Sequence, residues 1–386
     1  MTDQGRRTAG VMSVAFLARL PVVVMPLLMV LLLRDAGVAY SSVGLITAAY
    51  VVAGGVGAPV AGRIIDTIGA APVLAVGVAV TSGCLIGMAF GARHLDPSAL
   101  MVLAAVAGLV IPPITAVLRG ALPGIADGAV LRSAYGMEAA LQEVLFIVGP
   151  VLVVLAGRVM SPDASLVTGA LMMLTTTLVF AAVVRRHVPG GRERASGWAL
   201  ASGQLRVLVA IYGLMGLTFG LEEIAAIAVA DRAGHRGQAG MILAVWSVGS
   251  MLAGLASARY ARGDTLTRLR WLLVVMAVLG APLYWLAADP VLIAVGLFAQ
   301  GAVVAPALAV VYEMIPGAAP PGLLTEAFAW GNSCVYAGIG AGNALSGTMV
   351  SRWGPQWAMG AAFLAPVAAV WASRLLRGQA VEVNRR

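Results

Sequence analysis

The chain has 386 residues, 60% of them hydrophobic and only 11% charged, with a mean hydropathy of +0.94. Soluble domains are roughly a quarter charged, so a soluble globular protein is excluded; at about 20 apolar residues per span, the length holds roughly a dozen membrane helices and little else. The net charge of +8 rests on 25 basic residues, all Arg, scattered and nowhere interleaved with aromatics, which excludes a nucleic-acid surface and turns their placement into a topology signal.

Arg6 and Arg7 precede an apolar run from Ala9 to Leu33 that is too long for a signal-peptide core. From there, apolar stretches of helical length alternate with short segments rich in Gly, Pro and charge. They predict twelve spans, at 10–33, 41–61, 73–91, 98–118, 134–156, 165–184, 207–229, 239–258, 271–288, 291–312, 326–349 and 356–373. The runs are continuously apolar rather than alternating, which excludes a porin-like barrel. Cys84 and Cys334 fall inside apolar runs and read as small buried hydrophobes, with no disulfide and no metal site.

With the N-terminus in the cytoplasm, eighteen Arg fall on the cytoplasmic side and six outside, with Arg19 within a span. Positive charge is retained on the cytoplasmic side, so both termini are expected there. The stretch from Arg185 to Arg206, with Pro-Gly-Gly and several Arg, reads as a solvated linker. The expected organisation is therefore a six-helix bundle over 1–185, a cytoplasmic linker over 186–206 and a second six-helix bundle over 207–386. An internal repeat supports this division. Set 193 residues apart, Pro113 pairs with Pro306, Ala116 with Ala309, Val117 with Val310, Pro123 with Pro316 and Gly149 with Gly342, and Asp96-Pro97 pairs with Asp289-Pro290. Earlier in the halves, Gly37/Gly234 and Gly57/Gly254 pair at 197.

Two parallel six-helix repeats resemble the major facilitator superfamily. The loop expected after span 2 resembles its loop motif, with Gly62, Arg63, Asp66 and Gly69 in place and departures at Thr67, Ala70 and Ala71. The resemblance implies that Asp66 anchors a cytoplasmic gate. In span 5, Gly149-Pro150 resembles the core of the Gly-Pro motif of drug/proton antiporters, although Val153 and Val154 stand where glycines follow in that motif. The Arg that many such antiporters carry in span 4 has no counterpart between Leu100 and Leu118.

Charge placed inside a membrane costs at least about 2.5–3.5 kcal/mol near a helix centre, so the candidates for substrate and proton binding are the buried ionisable groups. Arg19 and Glu143 each lie nine residues into an outward-running span, roughly 13 Å deep at 1.5 Å per residue. They are expected to face the central cavity and pair; a permanent structural ion pair is the competing reading. Glu138 and Gln142 share a face, Glu138 being shallow enough to pair with Arg132 or Arg63 instead. The repeat places Gly331, Val335 and Tyr336 opposite Glu138, Gln142 and Glu143, so the fold itself does not demand these acids. Glu222 and Glu223 in span 7 read either as a proton-carrying carboxylate or as an extracellular-end cap. Trp246, Gln300, Asn332, Tyr336 and Asn343 are ligand contacts or helix-packing groups.

The reading is an all-α polytopic membrane protein of the bacterial cytoplasmic membrane, a monomer that moves a small organic solute by alternating access, with no cofactor and a proton as coupling ion in an efflux cycle. An importer or uniporter of an anionic metabolite is the alternative. A membrane enzyme is remote, because His94, His187 and His235 lie far apart in loops and no metal or nucleotide motif appears.

Overall fold

The computed structural model describes residues 3–188, 197–233, 239–260 and 264–376. Part of the expected linker, 189–196 with Arg192 and Arg194, lies outside the described residues, as do Gly234, His235, Arg236, Arg262, Arg377, Arg385 and Arg386. Twelve helical passes run through the described residues. They are α1 (Asp3–Asp35), α2 (Tyr40–Ile68), α3 (Ala70–Gly91), α4 (Pro97–Leu109) with α5 (Ile114–Ala121), α6 (Gly128–Val159), α7 (Pro162–Val184), α8 (Gly203–Arg232), α9 (Ala239–Tyr260), α10 (Thr265–Gly280) with α11 (Leu283–Leu286), α12 (Pro290–Ala318), α13 (Leu324–Arg352), and α14 (Pro355–Ala362) with α15 (Leu364–Ser373). A helix satisfies its own backbone polar groups, which hydrocarbon cannot do.

Three passes are broken where the sequence suggested single spans. Between α4 and α5, Pro112 and Pro113 both lack an N–H, and two consecutive rings crowd the preceding turn. The repeat provides a control, because at the equivalent place Ala305 precedes a single proline, Pro306, and α12 runs through unbroken. Pro282 stands at the α10–α11 break, and Pro366 lies just inside α15, after the break at Phe363.

The chain forms two compact units. The first comprises Met1–Leu131, Leu141–Gly197 and Pro321–Ser333; the second comprises Arg132–Ala140, Trp198–Pro320 and Cys334–Arg386. Each unit thus takes a short stretch from the other half of the sequence, and the two stretches end 193 residues apart, at Ala140 and Ser333. The core of the first unit includes Met25, Met29, Leu32, Tyr50, Leu85 and Met88. That of the second includes Ala226, Val229, Ile242, Leu297 and Met359.

Glycine sets the closest helix approaches, and the repeat recurs in them. A Cβ on Gly108 would lie 2.0 Å from the Tyr50 carbonyl oxygen, and one on Gly301, 193 residues on, 2.3 Å from that of Trp246. Both positions therefore require glycine, letting α2 pack on α4 and α9 on α12. The Asp-Pro pairs also recur as helix starts, Asp96 before Pro97 and Asp289 before Pro290. In the second unit, exposed tryptophans mark both ends of the helices: Trp271 and Trp371 at one, Trp285, Trp353 and Trp357 at the other. This is the distribution of interfacial anchors.

Candidate functional site

In the first unit, Arg19 lies in α1 and is 3% exposed, while Gln142 and Glu143 lie half-buried in α6. The two helices meet at Gly149, whose added Cβ would stand 3.4 Å from a methyl of Val23 and of Val24. Arg19 is four to five residues before that contact and Glu143 six, so both reach back along their helices by about 7–9 Å. With α1 and α6 running the same way, the two groups sit at closely matching depth. Gln142 lies beside them with its Oε1 buried and without a hydrogen-bond partner among the described residues. Pro150, next to Gly149, passes through α6 without interrupting it.

The predicted loop motif is helical. Gly62, Arg63 and Asp66 occupy the last turns of α2, which extends to Ile68, and only Gly69, at φ +95°, makes the turn into α3. The span had been expected to end near residue 61; the apolar Ile64, Ile65 and Ile68 carry the helix further. Each motif residue has a distinct physical task. The Asp66 carboxylate accepts from the backbone N–H of Thr325 at 3.1 Å and of Glu326 at 2.9 Å, capping the otherwise open donors at the start of α13. Gly62 permits this approach, since a Cβ there would lie 2.9 Å from the Glu326 Cα. Arg63 donates to the Gly197 carbonyl at 2.6 Å and stands 3.8 Å from the Glu326 carboxylate.

Arg119 departs from expectation. One of the eighteen arginines expected on the cytoplasmic side, just past the end of span 98–118, it belongs to α5, is 2% exposed, and donates to Asn332 Oδ1 at 2.8 Å. Asn332 is therefore held by an Arg in the first unit. Glu326, fully buried and accepting from Trp330 Nε1 at 3.4 Å, was not singled out at all. For Arg119, the apolar residues continuing through Ala121 and Leu122 were the available signal. For Glu326, only its place in the opening turn of a span hinted at a role.

The second unit holds Glu138, which is fully buried. Tyr135, from the same turns of α6, stacks near Tyr312, and Tyr312 shares a hydroxyl hydrogen bond of 3.0 Å with Tyr212. This tyrosine cluster had not been foreseen. Further along α8, Glu222 is fully buried and accepts from Gln300 Nε2, while Glu223 is half-buried and hydrogen-bonded to Asn343. Trp246 packs edge-on against Phe219 with ring centroids 5.9 Å apart. Tyr336 is 47% exposed. Cys84 and Cys334 are free thiols. Among the described residues no cluster of His, Cys, Asp or Glu has the makings of a metal site.

Comparison with known proteins places this architecture. The family profile of the Major Facilitator Superfamily matches residues 11–221, more than half of the chain. No curated protein matches the sequence. In fold the chain is similar to the human organic anion transporter MFSD10 (TETRAN), at 16% identity and a TM-score of 0.74, over 97% of this chain and 100% of that one. It is also similar to a bacterial homologue of the iron transporter ferroportin, at 14% identity and a TM-score of 0.76, over 96% and 98% of the two chains. A variant of the Escherichia coli fucose:proton symporter FucP gives 12% identity and a TM-score of 0.74, over 96% and 98%. The protein is a multi-pass membrane transporter of small molecules rather than an enzyme, and it belongs to the Major Facilitator Superfamily.

Proposed function

We propose that the protein is a proton-coupled exporter of a small organic solute in the bacterial cytoplasmic membrane, acting as a monomer with both termini in the cytoplasm and without a cofactor. The observation that carries this reading is the level in the first unit where Arg19 of α1 and Glu143 of α6 lie at matching depth on helices packed through Gly149. A cation and an acid held in the interior of a membrane bundle are costly to fold, and the equivalent places in the other half carry no such charges. In the proposed cycle, solute and proton compete at this level, and neutralising Glu143 lets the halves reorient. Release of Asp66 from the start of α13 accompanies that step, since the cap fixes the first turn of one helix to the last turn of another.

The test is proton flux in proteoliposomes with a pH-sensitive dye inside, as pooled amphiphilic cations, weak acids and sugars are added in turn, with wild type run beside Glu143→Gln. The expected result is a proton signal triggered by one pool and lost in the variant. Solute uptake without any proton signal, equal in both proteins, overturns the antiport reading. A second reading is favoured by the buried Arg19, whose fixed positive charge suits an anionic solute; uptake confined to the weak acids and independent of pH would establish that import or uniport instead.

A further inference from the structure

The polar pair formed by Glu222 and Gln300 in the second unit has no part in the cycle just described. Both residues are fully buried, Glu222 in α8 and Gln300 in α12, and Gln300 Nε2 donates to Glu222 Oε1. The other atom of each group, Glu222 Oε2 and Gln300 Oε1, is buried with no hydrogen-bond partner among the described residues. An ionised carboxylate and an amide oxygen are both pure acceptors, so these two atoms have nothing to offer one another. One proton on Oε2 changes that. The acid O–H can then donate to Gln300 Oε1 while the amide N–H already donates to Oε1 of the acid, so that the two groups close into a ring of two hydrogen bonds in which neither oxygen is left without a partner.

The surroundings favour the neutral acid for the same reason. No salt bridge reaches Glu222 among the described residues, and its chain neighbour is another acid, Glu223, itself bonded to Asn343 of α13. The other elements packed on α8 bring no cation to this level. Trp246 of α9 is neutral, α14 and α15 carry no ionisable side chain, and Ser346 of α13 donates to the Leu221 carbonyl at 2.9 Å. At Gln300, the end of α10 approaches through Gly280, and Arg268 and Arg270 are ten or more residues back along that helix. Arg232 of α8 lies ten residues along its helix from Glu222, about 15 Å, and Arg352 of α13 lies six residues past Ser346, about 9 Å. Tyr336 of α13 and Tyr312 and Glu313 of α12 are also at least two turns removed.

We propose that Glu222 is a carboxylic acid held protonated against Gln300, a second proton-binding site that releases its proton only when α8 parts from α12. On release, the O–H bond breaks and the proton passes to entering water. The carboxylate left behind opposes the Gln300 oxygen, acceptor to acceptor, and the charge demands hydration that the closed helix pair does not supply. Proton loss and helix separation are therefore one event. The proposal does not depend on the Glu143 cycle, and its test needs no solute.

Infrared spectra of the full chain in liposomes at neutral pH should show a protonated-carboxyl C=O band that moves on exchange into heavy water and is lost in Glu222→Gln, which keeps the shape of the neutral acid. In Gln300→Leu the band should persist at higher frequency, because its hydrogen-bond acceptor is gone. An ionised-carboxylate band in the wild-type minus Glu222→Gln difference spectrum overturns the assignment. As the pH is raised until the band disappears, backbone deuterium uptake in α8 and α12 should rise in step in wild type and stay flat in Glu222→Gln. Disappearance of the band with unchanged uptake overturns the coupling to helix separation.

Discussion

Helices α1 and α6 in the first unit and α8 and α13 in the second hold equivalent places in the repeat, yet they are packed by different means. At the 197-residue spacing that pairs Gly37 with Gly234, Arg19 corresponds to Gly216; at the 193-residue spacing, Glu143 corresponds to Tyr336. A Cβ on Gly216 would lie 2.2 Å from the Val335 carbonyl oxygen, and one on Gly220 2.2 Å from that of Ile339. Gly338 and Gly342 make the same demand from α13, at 2.1 and 2.5 Å from the Gly213 and Leu217 carbonyl oxygens. Backbone rests on backbone there. Between α1 and α6, the one comparable glycine, Gly149, meets only side-chain methyls at 3.4 Å. The lesson is that one half uses this pair of helices for close packing, whereas the other keeps them far enough apart to hold long charged side chains.

The comparison is broken most severely by adding bulk to the tight pair. Gly220→Val places a branched side chain where a carbonyl oxygen already stands, and overpacking of this kind costs about 1–3 kcal/mol or more. The expected outcome is a large drop in apparent melting temperature and in monodisperse yield, read by size-exclusion chromatography. Gly149→Ala is the counterpart and should leave both within about 0.5 kcal/mol of wild type. Equal damage from the two would erase the distinction between the helix pairs.

Next in size is the separation of site from scaffold at Arg19. Breaking a buried ion pair that serves only structure costs about 3–5 kcal/mol. If Arg19 and Glu143 instead serve transport, Arg19→Gln and Glu143→Gln should each abolish transport while shifting apparent stability by about 1 kcal/mol or less. A double-mutant cycle on melting temperature gives the decisive quantity, with a coupling of several kcal/mol marking a structural lock.

Asp66→Asn is smaller again. It keeps the shape of the side chain but removes the charge that two backbone N–H groups now share, a charge-assisted cap worth about 1–2 kcal/mol. Deuterium uptake should rise in the first turn of α13 and nowhere else in that helix. Uptake unchanged at Thr325 and Glu326 would show that the cap does not hold the turn.

Much of this was legible in the sequence because a membrane imposes few choices. Apolar runs gave twelve passes, and the spacing of Pro113 with Pro306 and of Gly149 with Gly342 gave the repeat. The breaks were harder to foresee, since whether proline interrupts a helix depends on its neighbours: Pro112-Pro113 parts α4 from α5, while Pro306 and Pro150 leave their helices continuous. Asp66 was expected from its motif to act as an anchor, but the groups it holds were not visible, because the start of α13 lies some 260 residues further along the chain. Arg119 and Glu326 were missed for a related reason. A charged residue at the end of an apolar run reads the same whether it faces water or a buried partner, and only the partner, Asn332 for Arg119, distinguishes the cases.

The smallest effect concerns Asp264, at the start of α10 outside the membrane-spanning segment. Its carboxylate accepts from both the backbone N–H and the hydroxyl of Thr267, each at 2.9 Å. These two donors favour the ionised form and hold the carboxyl below its ordinary range. Because the folded value lies below the unfolded one, the cap contributes fully above the ordinary carboxylate range and is lost as pH falls through the folded value. Solvent reaches this group, so the contribution belongs at the low end for helix caps, about 0.5 kcal/mol. Asp264→Ala should therefore lower the apparent melting temperature slightly at neutral pH, and its difference from wild type should shrink as the pH is taken into the acid range. Thr267→Val removes one donor and keeps the other, so its deficit at neutral pH should be the smaller of the two. A gap between wild type and Asp264→Ala that stays constant with pH would mean that the charge contributes nothing and the cap acts through its shape alone.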